Sequence, residues 1–257
     1  MMGIRPWNGR KSPGVTVACA AFTVVTFCSV LGCRSPGPGG RVDVHQWGTM
    51  RDALGQRQSQ ARVRLSQAVA TPHAYGVGAL AGLAGEVTVL DGTVWLARVE
   101  ADAVRTESTR SPSDSATLLT LFYVPDWRAI TLDEPVEAGR LPGVIRSFAR
   151  LAGLDKGAPF PFIVRGPLSV KGHVINGSCP MSVLPGGSKQ DAIGFASNNR
   201  VGTAVGVYAE NGTGVITHHD CVIHVHVIFE GPAPLSGHLD SIAVGAGAEL
   251  LLPSASG

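Results

Sequence analysis

The sequence predicts an α+β fold that is rich in strands, in which mixed or antiparallel sheets form two parts and helices are few. The chain contains many short runs of β-branched and aromatic residues, and most of these runs are bounded by Gly, Pro or Asn. Only two stretches have apolar residues at helical spacing, and no internal repeat or regular alternation of strands and helices is evident. With 257 residues, 44% of them apolar, the chain has enough apolar surface for one large domain or two small ones.

Residues 1–32 read as an export signal and are not counted as part of the fold. Basic residues precede an apolar run from Val15 to Leu31, an order typical of signal peptides. The run ends directly before Cys33 in a sequence that resembles the lipobox of bacterial lipoproteins, so we expect Cys33 to be the first residue of the mature chain and to carry lipid. An uncleaved membrane anchor is the alternative. Residues 33–43 would then form a flexible tether at the membrane of the bacterial cell envelope.

Net charge gives little information about partners. The chain has 21 Lys and Arg against 19 Asp and Glu, and removal of the basic signal leaves it nearly neutral. Because nucleic-acid binding depends on a basic surface, we expect no nucleic-acid partner. Contact with the membrane is expected only through the N-terminal lipid.

Two cysteines remain in the mature chain besides Cys33. Cys179 and Cys221 could form a disulfide in an oxidising compartment outside the cell. Two free buried thiols are the alternative, because sequence alone does not show whether the geometry permits a bond.

The first part of the domain, residues 44–157, is predicted to contain both helices. Met50 to Val69 has a weak helical pattern that ends at Thr71-Pro72, and Glu137 to Leu154 has the stronger amphipathic pattern. Between them, Asp91-Gly92 separates two alternating runs and predicts a hairpin. The strands predicted in this part are Glu86 to Leu90, Thr93 to Val99, and Thr117 to Val124, the last of which follows a polar loop at 106–115.

The second part, residues 158–257, follows a break near Asp155 to Pro159 and is predicted to be almost entirely strands. Gly, Pro or Asn turns bound each of them. The predicted strands are Pro161 to Arg165, Leu168 to Ile175, Gly202 to Tyr208, Val215 to Glu230, Leu239 to Val244, and Glu249 to Pro253.

Three histidines near the C-terminus predict a metal site. Side chains alternate faces along a strand, so His224 and His226 would lie on one face, close enough to hold one ion. A loop through Gly231 and two prolines could bring His238 back as a third ligand. Three neutral imidazoles with one open position are typical of a catalytic zinc site, although copper, iron or nickel also bind imidazole. The alternative is a pair of polar groups on a half-buried strand with no metal.

Other histidines and cysteines near this motif are weaker candidates. His218 has the same strand parity as His224 if the strand is unbroken, so it is a candidate fourth ligand or a partner of a ligand. A histidine in a solvent-facing loop is the alternative. Cys221 has the opposite parity and is not expected to be a ligand, while His45 and His73 are expected to be structural.

Together the motifs resemble the α-acetolactate decarboxylases. The similarity begins at Val44 to Met50 and continues through Gly76 to Gly78, Gly82 to Glu86 and Leu90 to Gly92. It includes Gly202 to Tyr208 and ends with His224-Val-His226 and Ser236-Gly-His238, which match the family's three zinc-binding histidines in type and nearly in spacing. The resemblance covers about 200 residues. The combination of motifs is specific to the family, whereas no single motif is.

The resemblance implies a zinc enzyme that converts the small β-keto acid 2-acetolactate to acetoin, often as a homodimer. Loss of carbon dioxide puts negative charge on the adjacent carbonyl oxygen, which a metal ion can stabilise. In the family, a glutamate at the position of Glu86 belongs to the machinery that delivers the proton. Taken without the resemblance, Glu86 reads as an ordinary carboxylate at the start of a strand.

The chain departs from the family pattern around the substrate. The segment that carries an arginine in the family reads Ser169 to Pro180 here and contains none, so only Lys171 or His173 could take part of its role. Glu249 would have to replace a second glutamate that the family carries in its C-terminal tail. The alternative function is therefore an exported metal-binding lipoprotein of the same fold that lacks decarboxylase activity.

Overall fold

The protein is described from a computed structural model, which describes residues 42–56, 58–154, 157–177 and 192–254. Two antiparallel sheets account for most of these residues, with few helical turns. The predicted strand-rich α+β class is therefore confirmed. The sheets pack against each other through a buried apolar layer in which Val77 and Phe122 of the first sheet meet Ile163, Val205 and Ile228 of the second.

The first sheet is built from strands that lie between residues 44 and 123. Its order is β1-β7-β3-β4-β5-β6, with the short β2 paired to β7. The central strand β3 is buried along its whole length. The strands are β1 Val44–Trp47, β2 Val63–Arg64, β3 Ala74–Leu80, β4 Glu86–Leu90, β5 Thr93–Glu100, β6 Ala103–Thr109 and β7 Ser115–Tyr123.

The second sheet partly closes on itself. Its order is β10-β11-β12-β9-β13-β8, and the long strand β10 also pairs with β9, so β9, β10, β11 and β12 form a ring of four antiparallel strands. The strands are β8 Trp127–Leu132, β9 Phe160–Val174, β10 Ile193–Tyr208, β11 Ile223–Phe229, β12 Leu235–Val244 and β13 Ala248–Pro253.

The stronger of the two predicted helices is present as α2, Leu141–Leu151. It begins later than predicted because Pro142 stands in its first turn, where a missing N–H costs nothing. Leu141, Ile145 and Ala149 are spaced by four residues and form the buried face. Leu151, the last residue of the helix, is 79% exposed.

The predicted hairpin is also present. Leu90 pairs with Thr93, and the two turn residues Asp91 and Gly92 have φ values of 48° and 72°. A two-residue turn with both residues at positive φ matches the right-handed twist of the flanking strands, and Gly adopts that conformation without strain.

The predicted helix over Met50 to Val69 is wrong. That segment contains a π-helical turn at Arg51–Gly55, the short strand β2 and a single helical turn, α1 Leu65–Ala68. The backbone N–H groups of Arg62 and Leu65 donate to carbonyls beside and within β7 instead of to a helix. Pairing of this segment with β7 therefore prevails over its weak helical pattern.

Two strand boundaries also differ from the prediction. The polar segment 106–115 was predicted to be a loop, but its first residues belong to β6. The strand predicted to begin at Val215 begins only at Ile223, because residues 212–217 fold into tight turns closed by hydrogen bonds from Gly214 N–H to Thr217 O and from Ile216 N–H to Gly212 O. The strand parity assumed for His218 therefore does not apply.

Several predictions concern residues outside the described part of the chain. The export signal, Cys33 and most of the tether lie there, and so does Cys179; Cys221 is described and is exposed. Lipidation, envelope localisation, the disulfide and the homodimer stay predictions. Within the described ranges no helix has both the length and the apolar character needed to cross a bilayer.

The close approach of β3 to β7 gives a test of this packing. A Cβ atom added at Gly78 would lie 2.0 Å from the carbonyl oxygen of Leu118, so the two strands must separate to admit it. We expect Gly78→Ala to lower the free energy of unfolding by about 1–3 kcal/mol or more, measured by urea denaturation. Gly143→Ala is the matched control, because a Cβ there meets open space in the first turn of α2, and unchanged or slightly raised stability is expected. Equal effects of the two substitutions would contradict the pairing.

Candidate metal centre

The hairpin of β11 and β12 brings the three predicted histidines together. His224 and His226 are two residues apart on β11 and share a face, while His226 lies directly opposite His238 on β12. All three side chains are buried. The candidate ligand atoms of the three residues lie within 4.8 Å of one another, and among the described residues no other group of His, Cys, Asp and Glu meets this condition.

The ring geometry fits a small cation. The Nε2 atoms of His224 and His226 are 3.2 Å apart. Two imidazole nitrogens bound to one zinc ion at about 2.05 Å in tetrahedral geometry would be separated by about 3.3 Å. The ring centroid of His238 lies 5.1 Å from that of His224 and 5.5 Å from that of His226. The donor set, three imidazoles, is suited to a first-row transition metal.

Hydrogen bonds on the far side of two rings set which nitrogen faces the site. His224 Nδ1 lies 3.1 Å from the carbonyl oxygen of Ile216, which can only accept, so Nδ1 carries the proton and Nε2 carries the lone pair. His226 Nδ1 lies 3.0 Å from Thr88 Oγ1, and that hydroxyl lies 3.1 Å from Ser236 Oγ. With Nδ1 at Thr88, Nε2 is the nitrogen of His226 that faces His224, and donation from Nδ1–H to Thr88 Oγ1 would leave the Nε2 lone pair for a metal ion.

Burial keeps the three rings neutral. Desolvation lowers the pKa values of His224, His226 and His238 well below that of a free imidazole, and the neighbouring imidazoles lower them further. Because only the neutral ring has a lone pair for a metal ion, this environment favours metal binding over protonation.

Glu86 is the carboxylate of the site. It lies at the start of β4 and is buried, with Oε2 3.7 Å from His226 Nε2 and Oε1 3.3 Å from the backbone N–H of Ile175, which donates to it. Burial raises the pKa of Glu86 to about 7, an effect that His173 and the Ile175 N–H partly offset. A carboxyl that is partly protonated near neutral pH is suited to proton transfer.

A small pocket opens beside these groups. It has a volume of about 30 Å³, enough for about two water molecules. The pocket has a polar side and an apolar side. The polar side consists of Glu86, His173, His218, His224 and His238; the apolar side consists of Met50, Leu54, Ala79, Leu83, Leu118 and Ile175.

Four residues in or beside the site were missed or only partly anticipated from sequence. Thr88 and Ser236 carry no local signal, because they reach His226 from another strand or sheet. His173 had been considered only as a replacement for an arginine. His218 lies in a turn, half-buried, with its ring 5.3 Å from that of His238. It is therefore neither in the ligand group nor in a fully solvent-facing loop.

Solved structures of known proteins share this fold. The α-acetolactate decarboxylase of Bacillus subtilis strain 168 matches with a TM-score of 0.62 and 18% identity, over 83% of this chain and 86% of that chain. The acetolactate decarboxylase of Bacillus subtilis subspecies spizizenii matches with a TM-score of 0.64 and 17% identity, over 82% and 85% of the two chains. A Staphylococcus aureus protein of unknown function, described as similar to α-acetolactate decarboxylase, matches with a TM-score of 0.58 and 14% identity, over 81% and 84%.

These similarities establish the fold that the sequence motifs predicted. No family model matches the sequence, and no curated protein sequence matches it. At identities of 14–18%, the likeness to these structures concerns the arrangement of the strands.

The first prediction for the metal centre concerns the three imidazoles. We expect the purified protein to bind one equivalent of zinc, and His224→Ala to weaken binding by more than about 100-fold, because loss of an outer partner alone costs 10- to 100-fold. Elemental analysis after dialysis against a competing chelator measures this. His45→Ala is the control, because His45 is exposed on β1 and lies outside the group. Equal metal content in the two variants would contradict the site.

The second prediction concerns the hydroxyl behind His226. We expect Thr88→Val to lower zinc affinity by about 10- to 100-fold, because the hydroxyl that holds Nδ1 is lost while the side-chain shape is kept. Thr88→Ser, which keeps the hydroxyl, should bind zinc nearly as the unaltered protein does. Chelator competition measures both constants, and a Thr88→Val protein with unaltered affinity would show that this contact does not orient the ligand.

Proposed function

We propose that this protein is a metal-dependent decarboxylase of small 2-hydroxy-3-keto acids, with zinc as the metal and the conversion of 2-acetolactate to acetoin as the reaction. The observation that carries the proposal is the convergence of His224, His226 and His238 beside a pocket that is lined by His224, His238 and the buried carboxyl of Glu86. The fold shared with acetolactate decarboxylases supports it.

His224, His226 and His238 would hold the metal through imidazole nitrogens. All three side chains are buried, and the Nδ1 atoms of His224 and His226 are held by hydrogen bonds, so little ordering is required when the ion binds. When bound, zinc would supply a Lewis acid that withdraws electron density from the substrate's ketone oxygen.

Besides the metal ion, the reaction needs a proton donor for C2 of the substrate. The bond between C2 and the carboxylate breaks and releases carbon dioxide, and its electron pair is delocalised toward the ketone oxygen. A proton must then be added to C2 to give acetoin. Glu86 lies beside His226 and is fixed by the N–H of Ile175, so it can deliver that proton in its acid form and regain one from solvent.

The apolar side of the pocket favours a small substrate. Met50, Leu83 and Leu118 belong to one buried apolar cluster that faces the polar groups. Such a surface suits the two methyl groups of acetolactate. It also limits the water near the reacting carbon, which strengthens electrostatic interactions with the polar groups.

The activity can be tested together with the role of Glu86. We expect the zinc-loaded protein to form acetoin from racemic 2-acetolactate, and Glu86→Gln to lower kcat by about 10²- to 10⁴-fold with its zinc content unchanged, because the proton carrier is lost but the ligands remain. Glu249→Gln is the matched control, since that carboxylate is exposed on β13 and does not line the pocket.

The outcomes separate the proposal from its alternative. Acetoin above the metal-free background would support it. One bound equivalent of zinc with no turnover of acetolactate, or of other small keto and hydroxy acids, would contradict it and favour a metal-binding lipoprotein without decarboxylase activity.

A further inference from the structure

We propose that the tight turn at residues 212–217 couples metal binding to the placement of the π-helical turn Arg51–Gly55, which carries part of the pocket wall. Ile216 is a positioning residue for His224, and Gly214 is a positioning residue for the tight turn itself. This inference rests on the metal centre of the proposed function and not on the reaction proposed there.

The tight turn contacts the metal centre through one backbone carbonyl. Ile216 O lies 3.1 Å from His224 Nδ1 and accepts its proton, and both residues are buried. Ile216 also packs in the apolar layer between the two sheets, which holds it from a second side. Because a partner on the far side of an imidazole orients the nitrogen that binds a metal ion, a shift of this carbonyl would turn the ring of His224.

Hydrogen bonds within the tight turn set the position of that carbonyl. Gly214 N–H donates to Thr217 O and Ile216 N–H donates to Gly212 O, each at 2.8 Å. Gly214 has a φ of +73°, a left-handed conformation that glycine adopts without the strain that a side chain brings. Residue 214 therefore decides whether the turn presents Ile216 O to His224.

The tight turn also binds the start of the π-helical turn. Met50 N–H donates to Val215 O at 3.0 Å, and Arg51 N–H donates to Gly214 O at 2.9 Å. Both donors lie at the N-terminus of the π-helical turn, where backbone N–H groups lack partners within a helix. The carbonyls of residues 214 and 215 therefore cap the π-helical turn.

The π-helical turn completes the apolar side of the pocket. Met50 and Leu54 line the pocket and belong to the apolar cluster that faces its polar groups. Direct contacts therefore connect His224, through Ile216 and the tight turn, to Met50. Because a coupling between two equilibria is reciprocal, a metal ion that fixes His224 favours the placed wall, and the placed wall favours the metal ion.

Hydrogen exchange of the unaltered protein tests the coupling without relying on turnover. Zinc-loaded and zinc-free protein would be compared at residues 48–54 and 212–217. The control is the turn at 245–248, where Gly247 N–H donates to Leu132 O, because that turn is outside the described lining of the pocket. We expect zinc to slow exchange at Met50 and Arg51 by about tenfold or more and to change the control turn by less than about twofold, because only openings that release the metal become rarer.

A matched pair of glycine substitutions tests the role of the tight turn. Gly214 and Gly247 have φ values of +73° and +78°. An added Cβ meets only the flexible end of the Arg51 side chain at residue 214 and open space at residue 247. We expect Gly214→Ala and Gly247→Ala each to lower Tm by about 2–8 °C through backbone strain. Only Gly214→Ala should weaken zinc binding, by about 10- to 100-fold in chelator competition, and abolish the slowing at Met50 and Arg51.

Several results would overturn the coupling. These are no slowing at Met50 and Arg51, equal slowing in the control turn, or equal zinc affinities of the two glycine variants. If Gly214→Ala does not fold, the exchange comparison on the unaltered protein still decides. A protein that retains no zinc would overturn the metal centre and this inference together. Slowing at Met50 and Arg51 without any acetoin would contradict the decarboxylase proposal alone and leave the coupling standing.

Discussion

The arrangement of the site depends on one constraint, the burial of three imidazoles whose candidate ligand atoms lie within 4.8 Å of one another. The Nε2 atoms of His224 and His226 are 3.2 Å apart, and the Nδ1–H of His224 donates to the carbonyl oxygen of Ile216, so Nε2 of His224 presents a lone pair to the site. Burial disfavours the charged form of each ring, and neutral imidazoles are the form that binds a metal ion. Because the three rings meet only in the folded chain, folding and metal binding are expected to be coupled.

Hydrogen bonds at the site also join the two sheets. Thr88 of the first sheet holds His226 of the second, and Ser236 N–H donates to Thr106 Oγ1 across the same boundary. Glu86 reaches from the first sheet to the backbone N–H of Ile175. The site is therefore assembled only when the sheets pack, and Glu86 and Thr88, on one face of β4, both make hydrogen bonds across this boundary.

Sequence predicted the parts of the site that depend on local periodicity. The alternation of a strand placed His224 and His226 on one face, and the turn residues after Phe229 allowed the return of His238. Glu86 was identified by family resemblance, because a carboxylate at the start of a strand has no distinguishing pattern of its own. His173 and Thr88 depend on strand pairings between residues far apart in the chain, which no local pattern encodes.

The wrong predictions have related causes. The segment Met50 to Val69 has a helical pattern, but its backbone pairs with β7 and with the turn near Gly214. The parity assigned to His218 assumed a continuous strand, whereas tight turns at residues 212–217 interrupt it. In the first case tertiary hydrogen bonds prevailed over a weak helical preference, and in the second local hydrogen bonds within the turns ended the strand.

X-ray absorption at the zinc edge of the loaded protein tests the central claim most directly. The account predicts a first shell with three imidazole nitrogens at about 2.0–2.1 Å, their outer-ring scattering, and one or two further light atoms. A first shell with sulfur ligands or with fewer than three imidazoles, or a protein that retains no zinc at all, would contradict it.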